Sequence, residues 1–132
     1  MENIDINSIN RVIELAREYR IDYEKNGVKE FLLSIMEFDL DSILNQTQQE
    51  KDLYEYLMNT EFETVKDIMT IMYLGMERNY NQNDIPEDIY YKQRSLFDEE
   101  GWEGKSRVVD QITSRVPLDE YLIDGLKILR LR

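Results

Sequence analysis

Apolar residues recur at steps of three and four along nearly the whole chain, and that spacing fixes one apolar stripe per helix. Nowhere do β-branched residues alternate with polar ones over five or more positions, so no segment reads as a strand. The pattern predicts an all-α fold, a single-domain compact bundle of about six or seven helices. At 132 residues the chain has the common length of one domain and can bury a core without disulfides or a structural metal. One acidic helical domain is expected over residues 1–132, since no internal repeat, low-complexity tract or composition shift marks a linker.

Ile6, Ile9, Ile13, Ala16 and Tyr19 form the first stripe, on a helix from Asp5 to Tyr23 that ends at Lys25-Asn26-Gly27. Val28, Leu32, Ile35 and Met36 trace a second, shorter helix, and Asp39 to Leu44 adds a turn or two. Thr47 with Glu50, and Thr60 with Glu63, read as capping boxes that open two more helices. The second of these carries Val65, Ile68, Met69, Met72 and Met76 and is apolar enough to be the central helix, its methionines filling the core. Asp84 and Pro86 start a helix that should reach about Phe97. A loop is expected over Asp98-Glu99-Glu100-Gly101-Trp102-Glu103-Gly104, then a helix through Val108, Val109 and Ile112 that stops before Pro117. A last helix is expected from Leu118 to about Leu129.

Two stretches carry a family resemblance: Met72-Tyr73-Leu74-Gly75-Met76-Glu77-Arg78, and Pro117-Leu118-Asp119-Glu120-Tyr121-Leu122-Ile123-Asp124-Gly125-Leu126. They resemble an uncharacterised family of short bacterial helical proteins, a domain of unknown function. Its members carry a Trp-Leu-Gly-Arg-Gly-Asp-like turn after an apolar helix and a Pro-Leu-x-x-Tyr-Leu-x-x-Gly-Leu ending. Here Tyr73 replaces the tryptophan and Met76-Glu77-Arg78 replaces the Arg-Gly-Asp core. The resemblance covers roughly residues 50–129, implies a helical fold, and carries over no functional residue.

Chemistry is constrained by what the chain lacks. With no histidine and no cysteine, Ser-His and Cys-His nucleophile pairs, His-ligated zinc and thiolate redox chemistry are out of reach. Twenty-eight acids against sixteen bases give a net charge of -12, a field that favours cationic partners and repels phosphate backbones. The acid lies in residues 1–100, with 23 Asp and Glu against 10 Lys and Arg, while the remainder is almost neutral. An acidic, polar N-terminus and the absence of a long apolar run point to the cytoplasm and away from a membrane.

Each candidate site also has a plainer role. Asp98 followed by Glu103-Gly104-Lys105 has the order of some metal-dependent nucleases, but those sites need converging strands and a phosphate-tolerant field. Asp98, Glu99 and Glu100 lack the spacing of a twelve-residue calcium loop. Glu37, Asp39 and Asp41 form an acidic cluster whose simplest role is capping a helix. No catalytic, cofactor-binding or metal residue is assigned, no cofactor is expected, and the protein does not read as an enzyme. Nine tyrosines and one tryptophan instead supply interface anchors. Of Tyr90 and Tyr91, adjacent and about 100° apart on a helix, one should reach the surface. Trp102 either joins the acids of its loop in a patch or tucks beneath it.

The leading expectation is therefore a bacterial immunity protein that binds a basic partner, a toxin or nuclease, through Asp98, Glu99, Glu100, Trp102, Tyr90 and Tyr91. It would block the partner's basic cleft by electrostatic mimicry, with no nucleic acid bound. A phage-encoded DNA-mimic inhibitor of a host nuclease fits the same composition. The competing classes are a carboxylate-based metal-binding enzyme, using Asp98, Glu99 or Glu103, and a self-associating acidic scaffold.

Overall fold

A computed structural model describes residues 4–20 and 51–131. Those residues are all-α, with six helices and no strand among them. Residues 6–20 form α1, residues 51–58 form α2, and α3 spans Phe62–Glu77. Pro86–Glu100 is α4, Lys105–Thr113 is α5 and Leu118–Ile128 is α6. The expected helix end at Gly27, the helix through Val28 to Met36, the Asp39–Leu44 turn, the Thr47/Glu50 box and the Glu37–Asp41 cluster lie outside the described residues.

Asp5 starts α1 as a capping residue: its carboxylate accepts the Ser8 backbone N–H at 3.1 Å and the Ser8 hydroxyl at 2.7 Å. Those bonds, the hydroxyl's first, hold the Asp5 carboxyl below its ordinary pKa. The buried stripe that follows, Ile9, Val12, Ile13, Leu15 and Ala16, faces the core together with Leu53 and Leu57 of α2.

The expected capping box at Thr60 does not form. The Thr60 hydroxyl donates instead to the Tyr56 carbonyl at 2.7 Å, one turn back on α2, and α3 opens at Glu61 without a side-chain cap. Thr60 thus closes the preceding helix, and Glu63 is left to pair with Lys66 and Arg94.

As expected, α3 is the central helix. Five consecutive residues, Ile68 to Met72, are buried, which requires cover on every side because successive side chains rotate about 100° around the axis. Buried Thr70 turns its hydroxyl onto the Lys66 carbonyl at 2.8 Å, so no polar atom is stranded there. Met69 and Met72 fill core space, while Met76 is only partly buried.

The closest packing is between α3 and α6. A Cβ on Gly75 would lie 1.8 Å from the Tyr121 carbonyl oxygen, and one on Gly125 would lie 2.1 Å from that of Ile71. Two glycines therefore face each other's helix at one crossing and let the backbones touch. They are the glycines of the two stretches that carried the family resemblance. The motif's visible role here is packing.

Helix α4 runs one turn past the expected end, so Asp98, Glu99 and Glu100 are helical, and the loop is only residues 101–104. Gly101 stops the helix in a left-handed conformation, φ 87°. The helix buries only Ile89 and Tyr90, and among the described helices it packs chiefly on α3. Helix α5 ends before Pro117, as its sequence requires. After α6, Arg130 takes a left-handed conformation, and the N–H groups of Leu131 and Arg130 return to the carbonyls of Leu126 and Lys127 at 2.8 and 3.1 Å. No helix among the described residues is long and apolar enough to cross a membrane.

Candidate binding face

The polar network that fixes α4 to α3 centres on Arg94, whose side chain is 14% exposed. Its Nη1 donates to Asp67 Oδ1 at 2.9 Å and to the Tyr90 hydroxyl at 3.1 Å. Nη2 donates to Glu63 Oε2 at 3.0 Å and Nε to Asp98 Oδ1 at 3.3 Å. The Tyr90 hydroxyl in turn donates to Asp67. The guanidinium's planar donors thus bind three carboxylates from two helices, a task a lysine could not match.

Trp102 completes this cluster from the far side of the turn. The chain reverses at Gly101, and the indole settles on Phe97 with ring centroids 5.4 Å apart. Its N–H donates to Asp98 Oδ1 at 2.6 Å, and the Lys66 ammonium and Arg94 guanidinium each lie 5.5 Å from the ring centroid. Phe97 packs edge-on to Tyr73 at 5.1 Å. Trp102 is therefore tucked beneath its loop, half-buried, and is not a protruding anchor.

The carboxyls of this network are pushed in opposite directions. Burial raises the Asp67 pKa, against the Tyr90 hydrogen bond and the Arg94 charge that favour its anion. The Trp102 N–H, followed by Arg94, holds Asp98 below its ordinary value, and Lys66, followed by Arg94, does the same for Glu63. Burial and then the Asp67 hydrogen bond raise the Tyr90 hydroxyl, which stays protonated as a donor. A lowered carboxyl pKa gives stability that is full above the ordinary value and lost as pH falls through the depressed one. Raised Asp67 has the opposite sign: it takes up a proton in the folded protein before it would in the unfolded chain.

Trp102 is the chain's one tryptophan and reports on Asp98 directly. Its emission should hold steady as pH falls to the ordinary aspartate pKa of about 4 and change only below it. In Asp98→Asn, that acid transition should disappear. An acid transition below about 4 that persists in Asp98→Asn would refute the coupling.

The predicted partner-binding residues divide into two groups. Tyr90, Asp98 and Trp102 are brought together in the Arg94 network, where they hold structure. Tyr91, 53% exposed, and the exposed carboxylates Glu99 and Glu100 face outward on α4. The expectation that one of two adjacent tyrosines surfaces is met by Tyr91, whose ring packs edge-on to Tyr90 at 5.5 Å. Two residues the sequence reading passed over, Asp67 and Arg94, organise the site. The spacing of Tyr90, Arg94 and Asp98 by four was visible, but their meeting with Asp67 is tertiary.

The other suggested chemistries find different surroundings. Lys105, the lysine of the nuclease-like order, donates to the Met58 carbonyl at 2.6 Å and is occupied in joining α5 to α2. Among the described residues no group of three or more acids is placed to hold a metal ion. Comparison with protein-family models, with curated proteins and with solved structures finds no match to this chain.

Proposed function

We propose that the protein is a bacterial immunity protein, which binds a cognate toxin with a basic cleft, a nuclease, and occupies that cleft with carboxylates in place of substrate phosphates. The observation that carries this reading is the charge arrangement of α4. Its two cations turn onto acids of the protein itself, Arg94 to Glu63, Asp67 and Asp98, and Lys92 to Asp84 at 2.6 Å. Glu87, Asp88, Glu99 and Glu100 are exposed and, among the described residues, in no ion pair. An exposed surface with surplus anions focuses a field that speeds encounter with a cationic partner.

Two of those acids also sit badly for helix stability. Glu99 and Glu100 occupy the last turn of α4, where the helix dipole disfavours negative charge by about 0.3–1 kcal/mol each. A cationic surface docking there would relieve that repulsion.

Co-expression with any toxin found encoded beside this chain's gene tests the reading. The protein should co-purify with that toxin, abolish its nuclease activity and restore growth. Glu99→Lys together with Glu100→Lys should slow association about tenfold or more at low salt, the loss shrinking as salt screens it. A neighbouring toxin that is neither bound nor inhibited would end the proposal, and inhibition of a phage-targeting host nuclease instead would replace it.

A further inference from the structure

The outer face of α4 carries more than charge. Asp88, Tyr91, Lys92, Ser95, Leu96 and Glu99 recur at steps of three and four and border a shallow concavity of about 440 Å³. Leu96, 57% exposed, and Tyr91, 53% exposed, border it from two sides. Scattered exposed apolar side chains need no explanation, but here two of the four large ones in the described chain border one concavity, on a helix that is otherwise polar outside.

Tyr91 and Ser95 also border a second, neighbouring hollow, of about 510 Å³. Its walls include Glu61, Glu63, Asp67 and Asp98, with Arg94 already bound to three of these. Tyr91 is thus a ridge between two acid-walled depressions. The two hollows together carry six carboxylates, and their two cations, Lys92 and Arg94, are both engaged within the protein.

The ridge is also held in place. Tyr90 behind it is locked by Asp67 and Arg94, and its ring meets Tyr91 at an interplanar angle of 79°. An anchor fixed before binding loses little conformational freedom on docking, which is the property of aromatic hot spots.

We infer that the Tyr91–Leu96 ridge of α4 is the docking surface for a cationic protein whose basic rim flanks an apolar recess. This inference rests on the binding reading above and adds the surface and the form of the partner. The partner's recess takes Tyr91 and Leu96, while its Arg or Lys side chains enter the two acidic hollows. The sign of the charge makes the occupant a protein surface of basic character, not a nucleic acid.

The test is an NMR titration of the full ¹⁵N-labelled chain with an amphipathic helical peptide, arginine on one face and leucine on the other. Shifts should concentrate at residues 61–67 and 85–99. Tyr91→Ala and Leu96→Ser, both at exposed positions, should each weaken binding about tenfold. Glu99→Gln should weaken it several-fold, while the same charge change at Asp110 of α5 should leave it unaltered. Shifts spread over the acids of α1, α5 and α6, with affinity unaffected by Tyr91→Ala, would overturn the ridge and leave the acidic-binder reading standing. Absence of peptide binding at low salt would overturn the ridge, while the toxin co-expression above decides the binding reading separately. Concentration-dependent shifts at the ridge without peptide would assign it to a second copy of the chain, and equal binding of duplex DNA would overturn the cationic partner.

Discussion

Gly75→Ala should lower the unfolding free energy by about 3 kcal/mol or more, a large part of the 5–15 kcal/mol typical of a whole domain. The added methyl would sit 1.8 Å from the Tyr121 carbonyl oxygen and 2.7 Å from the Gly125 nitrogen. Both obstacles are backbone, so no side chain can swing aside; the two helices must separate. Separation opens gaps along the most extensive helix pair among the described residues, in a core that holds the fully buried Ile68, Met72 and Leu122. Alanine's better helix propensity returns only about 1 kcal/mol. Gly125→Ala should behave alike, since its methyl would meet Ile71 O at 2.1 Å and Ile71 Cγ2 at 2.7 Å.

A chemical denaturation series separates steric from intrinsic effects. Gly104→Ala, with nothing within 4 Å of the new methyl, should change stability by less than about 1 kcal/mol. The double variant at 75 and 125 should cost less than the sum of the singles, because one spread crossing accommodates both methyls. If Gly75→Ala unfolds at the same denaturant concentration as the parent, the close approach of α3 and α6 is wrong.

That crossing also marks the limit of what the residues alone disclosed. Helical spacing was enough to place the described helices and to choose α3 as the central one, because one-dimensional periodicity encodes which face is buried. It was not enough to show that Gly75 and Gly125 meet, since two glycines 50 residues apart carry no local sign of each other. The same holds for Arg94. Its four-residue spacing to Tyr90 and Asp98 is local, whereas its bond to Asp67 depends on how α4 lies across α3.

Local rules also lost where a tertiary contact outweighed them. Asp98, Glu99 and Glu100 read as loop because the stretch from 98 to 104 breaks the apolar periodicity and holds two glycines. The helix continues through them because Arg94 and the Trp102 N–H both hold Asp98, and Gly101 supplies the stop. Of the proposed contact residues, the sequence could not say which side chains turn inward. Trp102 and Tyr90 proved inward and Tyr91 outward.

Arg20→Ala should cost about 3–5 kcal/mol because of the carboxylate it leaves behind. Asp119, in the first turn of α6, has a side chain only 2% exposed and receives Arg20 Nε on Oδ1 at 2.9 Å and Nη2 on Oδ2 at 3.0 Å. The Arg17 guanidinium is 3.9 Å from Oδ2 and half exposed, too distant and too hydrated to replace that pairing. Without Arg20, a carboxylate stays enclosed among Leu118, Leu122 and their neighbours with little beyond the α6 dipole to offset its lost hydration. Asp119→Leu made alone removes the enclosed carboxylate itself, whereas Arg20, with its side chain 23% exposed, keeps part of its hydration. Its cost should be the smaller of the two, and the combination Arg20→Met with Asp119→Leu should fall within about 2 kcal/mol of the parent. Thermal melts of the three variants decide it: Arg20→Ala equal in stability to the double variant would show that the pair is spectator charge. The bridge joins α1 to α6 across 99 residues of sequence and includes no residue of α4. At temperatures where the variants remain folded, the Tyr91 ridge should bind the arginine–leucine peptide with undiminished affinity.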